Sequence, residues 1–174
     1  MKKVILFITV IFFVQNLVAQ QEEKLCACCS EFHNSFDFWI GDWTVYDVNG
    51  KVLGHNTIKK QYDNCVLQEI WVSKGKNRGT SYNYYDEKDN TWNQIWIDNS
   101  GFSLALKGNI KDGKMVLKSD LLEGKKDRYF NQITWTKNDD GSVTQSWIIL
   151  DEKNKILQET FRGIYKKSVK TSKY

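Results

Sequence analysis

The chain of 174 residues contains no proline, only two histidines, and no apolar run reaching the ~20 residues that a membrane-spanning helix needs. Each absence excludes something. Without proline, no strand loses a ladder N–H to a pyrrolidine ring, so hydrogen-bonded sheet is open to the whole chain. Two histidines, His33 and His55, do not assemble a Ser-His-Asp set with any conviction, and no glycine-rich phosphate loop is present. A basic stripe is missing too. The 25 basic and 21 acidic residues nearly balance, and the one basic cluster, Lys166, Lys167, Lys170 and Lys173, reads as a solvated tail over 168–174. Binding along a phosphate backbone needs many cations on one face, so the balance argues against a nucleic-acid partner.

The first residues carry a different signal. Met1-Lys2-Lys3 precedes an apolar stretch from Val4 to Phe13, then Asn16-Leu17-Val18-Ala19, then the polar Gln20-Gln21-Glu22-Glu23-Lys24. A basic start, a short apolar core and a small residue before a polar shift predict a signal peptide over 1–19, cut after Ala19 or Gln20. Its removal leaves no transmembrane segment, 23 basic against 21 acidic residues, and a secreted or periplasmic protein. Leu25-Cys26-Ala27-Cys28 has the look of a lipidation box, but it lies beyond the charges at Glu22, Glu23 and Lys24, where the apolar core should abut it. Residues 20–33 therefore read as a cysteine-bearing tether. Four cysteines in an exported chain, Cys26, Cys28, Cys29 and Cys65, suggest disulfides with three pairings open, and Cys65 is placed to tie the tether to the domain. The sharper alternative is a soft-metal site at Cys26, Cys28, Cys29 and His33; it lacks the usual C-x₂-C pairing, and no metal is expected.

Aromatic residues are plentiful: seven Trp, eight Tyr and nine Phe. Four of them fall in Phe36-Asp37-Phe38-Trp39-Ile40-Gly41-Asp42-Trp43, which predicts a short helical turn plugging a barrel, with Trp43 pointing inside. From residue 44 onward the pattern is strand, turn, strand, with no helical period. Runs at Thr44–Val48, Lys51–Tyr62, Cys65–Ser73, Thr80–Tyr85, Thr91–Asp98, Phe102–Ile110, Met115–Leu122, Arg128–Thr136, Ser142–Leu150 and Ile156–Tyr165 are separated by turns such as Asn49-Gly50 and Asp112-Gly113. Hairpin-length connections make sequential strands antiparallel neighbours, and a meander of about ten closes most simply as an up-and-down antiparallel β-barrel over 34–167.

Gly41-x-Trp43 beside the first strand, after a short aromatic turn, resembles the lipocalin (calycin-type) barrels. Phe36–Trp43 together with Cys65–Trp71 resembles an uncharacterised group of exported bacterial lipocalin-like proteins. The resemblance covers most of 34–167. It implies structural roles for Gly41 and Trp43, and a basic side chain late in the barrel lying over the Trp43 ring, for which Thr160-Phe161-Arg162-Gly163 offers Arg162. About ten strands exceed the eight of a standard lipocalin and match fatty-acid-binding and nitrobindin-like barrels. The latter hold haem through a histidine near the C-terminus, where this chain has none, so no cofactor is expected.

Strand alternation then selects the wall of a lumen. Glu69 and Trp71 share a face, as do Gln94 and Trp96, Asn131 with Ile133 and Trp135, and Gln145 and Trp147. Facing inward, Glu69, Trp71, Gln94, Trp96, Asn131, Gln145 and Trp147 make an aromatic pocket with a few amides and one carboxylate, suited to a small apolar or amphipathic molecule. The opposing expectation is a filled core whose amides pair with each other. Three functions follow: a binding protein; a small isomerase- or hydrolase-type enzyme using Glu69 as acid and base; or a structural envelope protein with a broad exposed aromatic patch.

Overall fold

The computed structural model describes residues 26–168. The expected signal peptide at 1–19 and nearly all of the basic tail lie outside the described residues. A four-residue helix α1 (Glu31–Asn34) and a 3-10 turn (Asp37–Trp39) lead into β1 (Gly41–Tyr46), β2 (Val52–Gln61), β3 (Val66–Ser73), β4 (Arg78–Asp86) and β5 (Thr91–Asp98). There follow β6 (Ser103–Lys111), β7 (Lys114–Lys118), β8 (Leu122–Glu123), β9 (Arg128–Lys137), β10 (Val143–Leu150) and β11 (Ile156–Lys167).

Every strand pairing is antiparallel. β1 pairs with β2 on one side and β11 on the other, β7 pairs with β9, and β9 with β10. Among the described residues, ten strands thus close into a barrel, with the two-residue β8 outside the circuit. The turns that reverse the chain use left-handed backbone where the sequence offers Asn, Asp or Gly. Gly50 (φ 82°) and the Asp112-Gly113 pair (φ 50° and 73°) are examples.

One expected strand is broken. Met115–Leu122 does not run through: β7 stops at Lys118, and the chain leaves the wall before β8 pairs Leu122 with Tyr129. The break falls at Ser119, whose N–H still donates to Asn131 O. Its hydroxyl accepts from Asn131 N and donates to Asp120 O, a local side-chain bond that competes with the ladder.

The barrel has two unlike ends. At one, the predicted plug is present. Phe36 and Trp39 are fully buried, and the Phe36 ring meets Trp39 at 5.0 Å, Trp135 at 5.1 Å and Trp92 at 5.5 Å between centroids. Lys60 on β2 holds the plug from outside, reaching Asp37 at 2.8 Å and Asn34 Oδ1 at 2.7 Å. Two disulfides resolve the pairing left open above. Cys26 joins Cys29, and Cys28 joins Cys65 in the turn between β2 and β3. No thiolate remains for a metal at Cys26, Cys28 and Cys29, and His33 is instead buried against Ser30 and the Tyr85 ring.

Trp43 points inside as expected, 1% exposed, its Nε1 donating to Trp39 O at 2.8 Å. The cation over it is Lys167, not Arg162. Lys167 Nζ lies 3.8 Å from the Trp43 ring centroid, and Lys167 is the direct cross-strand partner of Trp43. Arg162 sits on the outer face and pairs with Glu159 at 2.6 Å. The reason is parity: from Phe161 onward the odd positions of β11, Phe161, Gly163 and Tyr165, face inward, and Arg162 is even.

Candidate functional site: the cavity at the open end

The other end of the barrel is hollow. A cavity of about 400 Å³ opens between the β3–β4 and β5–β6 turns, reached past Asn77, Asp98 and Phe102. Three strands build it with the same local pattern. β3 carries Glu69-x-Trp71, β5 carries Gln94-x-Trp96 and β10 carries Gln145-x-Trp147, and all three run from the plugged end toward the mouth. A two-residue step along one face rises about 6–7 Å, so the polar residue sits deep and the indole nearer the mouth. β9 runs the opposite way, and its Trp135 therefore joins the plug, not the cavity.

Six of the seven residues expected in the wall, Glu69, Trp71, Gln94, Trp96, Gln145 and Trp147, line the cavity. Asn131 stands behind it, accepting from Trp147 Nε1 at 2.8 Å and so fixing that ring. Trp71 is fixed likewise, donating to Asn77 Oδ1 at 3.1 Å, while Asn77 donates to Asp98. Further rings complete the collar: Phe161 meets Trp71 edge-on at 6.4 Å, and Phe102 stacks on Trp147 at 6.2 Å. Room for Trp96 comes from Gly79. A Cβ there would lie 2.3 Å from the indole and 2.8 Å from the Ile97 carbonyl oxygen.

The floor is a hydrogen-bonded network around Glu69, which is 5% exposed. Its Oε1 accepts from Asn56 Nδ2 and its Oε2 from Ser81 Oγ, each at 2.6 Å. Asn83 Nδ2 donates to Leu67 O and to Ser81 Oγ, and its Oδ1 accepts from Gln94 Nε2 at 2.7 Å. Tyr165 donates to Gln145 Oε1 and lies 3.4 Å from Asn56 Nδ2. Burial pushes the Glu69 carboxyl above its usual range, although the Ser81 and Asn56 bonds pull it back. Burial and the nearby Glu69 push the Tyr165 phenol well above its ordinary value. Among the described residues, no Lys, Arg or His lines the cavity.

Sequence reasoning missed Asn56, Ser81, Asn83, Phe161 and Tyr165. Phe161 and Tyr165 were lost with the parity of β11. For β2 the signal was there: Gly54, Asn56 and Ile58 alternate with the polar His55, Thr57 and Lys59. No family model matches this chain, and no curated protein shows significant similarity to it.

Proposed function

We propose that the chain is an exported binding protein whose barrel holds one small apolar or amphipathic molecule. The observation that supports this most directly is the cavity itself: about 400 Å³, walled mainly by rings, with a few fixed polar groups at its floor. A lipocalin-like ancestry is consistent with the closed barrel and its aromatic plug. Two disulfides suit an oxidising compartment. The test is native mass spectrometry of protein purified without detergent, followed by solvent extraction. A stoichiometric small molecule is expected, and titration of naphthalene-class ligands should perturb tryptophan fluorescence. Absence of any such binding would remove the reading.

A second reading rests on Glu69. A carboxyl that borders a cavity, has no cationic partner among the described residues and titrates above the usual range is suited to general acid–base work. Loss of an isomerase or hydrolase activity in Glu69→Gln, with binding retained, would select the enzyme over the binding protein.

A further inference from the structure

The floor of the cavity has a definite hydrogen-bonding direction, and it says what kind of head group fits. Leu67 O can only accept, so Asn83 must turn Nδ2 toward it. Asn83 Oδ1 then accepts from Gln94 Nε2, which leaves Gln94 Oε1 as the free end of that amide, an acceptor at the cavity. The same Asn83 Nδ2 donates to Ser81 Oγ, so the Ser81 proton points at Glu69 Oε2. The chain of bonds therefore ends on Glu69 and supports a carboxylate there, while each carboxylate oxygen keeps a further lone pair. The charged lining groups are both acidic: Glu69 at the floor and Asp98 at the mouth. A carboxylate buried in a ring-lined cavity without a cation is an incomplete ion pair.

Resting on the cavity-binding reading above, we infer that the ligand is a cationic amphiphile, an aryl or alkyl amine. Its ammonium group meets Glu69 and Gln94 Oε1, and its apolar body lies among Trp71, Trp96, Trp147 and Phe161. Charge-assisted hydrogen bonds favour the ammonium at the floor, and the faces of the indoles favour a cation over an anion on the way in. Carboxylate-headed ligands such as fatty acids are disfavoured, because they would place a second negative charge against Glu69 with no arginine or lysine among the described lining residues to receive it. Around Glu69 the facing groups are Asn56 from β2, Ser81 from β4, Gln94 from β5, Gln145 from β10 and Tyr165 from β11; of these, only Tyr165 titrates.

The test is calorimetric titration of the full mature chain with three probes of one shape: 1-naphthylmethylamine, 1-naphthalenemethanol and 1-naphthoic acid. At neutral pH the amine should bind about tenfold or more tightly than the alcohol, and the acid most weakly. Glu69→Gln should bring the amine's affinity down to that of the alcohol, with circular dichroism showing that the variant is folded. Amine affinity, but not alcohol affinity, should fall as acidification protonates Glu69. Equal or tighter binding of the alcohol or the acid overturns the inference and leaves the cavity reading standing. So does an amine preference that survives Glu69→Gln. If none of the three probes binds, the cavity reading falls and this inference falls with it.

Discussion

At the scale of single residues, Glu69 and Trp43 carry the clearest consequences. The folded Glu69 carboxyl titrates above its ordinary value near 4.5 because burial disfavours its charge. A raised folded pKa means that the folded state holds a proton the unfolded chain has already released. The stability this contributes is complete below the unfolded value and is lost as pH rises through the folded one. Urea unfolding across acid to neutral pH should therefore show a downward slope that Glu69→Gln flattens; superimposable profiles for parent and variant would contradict it. Trp43→Ala should cost about 3–5 kcal/mol, as expected for a large buried aromatic. Lys167→Ala should cost about 0.5–1 kcal/mol through the lost cation–π contact, and a double-mutant cycle of the two should be non-additive. Arg162→Ala, on the outer face, should leave stability near that of the parent. Parity explains why Arg162, the cation offered by the lipocalin resemblance, does not reach the Trp43 ring. On β11 the period of two is interrupted: the register against β10 shifts between Glu159 and Phe161, so Glu159 and Arg162 share the outer face while Phe161, Gly163 and Tyr165 face inward.

At the scale of elements, the strands were legible because their punctuation is chemical. Thr91–Asp98 was read at its observed limits, and most other runs within a residue or three, since Asn-Gly and Asp-Gly turns mark reversals independently of packing. The break after β7 was not legible, because it falls where Ser119 meets Asn131 across the sheet, twelve residues on in the chain. The pairing of cysteines was equally out of reach, being a matter of where the tether docks. Its energetic weight is unequal. Closing a loop over a separation of 37 residues restricts the unfolded chain by about 4 kcal/mol, whereas a separation of three contributes about half that or less. Paired replacement of Cys28 and Cys65 by serine should therefore lower the urea midpoint much more than paired replacement of Cys26 and Cys29. On the wall between β3 and β5, Gly79→Ala should drive the Trp96 ring toward the lumen, because the Ile97 backbone behind it does not yield. Weaker binding of 1-naphthalenemethanol, larger than the loss in stability explains, is the expected result.

At the scale of the whole molecule, the two opposed expectations for the lumen, filled or open, each describe one end. Rings close the base through Phe36, Trp39, Trp92 and Trp135, and the mouth remains hollow. Composition alone does not separate these ends; strand direction does, since it sends Trp96 up and Trp135 down. Direction also decides where the described chain begins and finishes. Cys28 is bonded into the β2–β3 turn at the base, and Ser168 N donates to Asp42 O beside the plug at 2.9 Å. Both ends of the described residues thus lie at the base, opposite the mouth. The molecule is in effect a cup with both handles on its foot. A group attached at Ser168, beside the plug, lies at the opposite end of the barrel from the rim. A biosensor surface coupled through Ser168→Cys, at the base, should retain full capacity for 1-naphthalenemethanol. One coupled through Lys74→Cys, in the turn at the rim, should lose it.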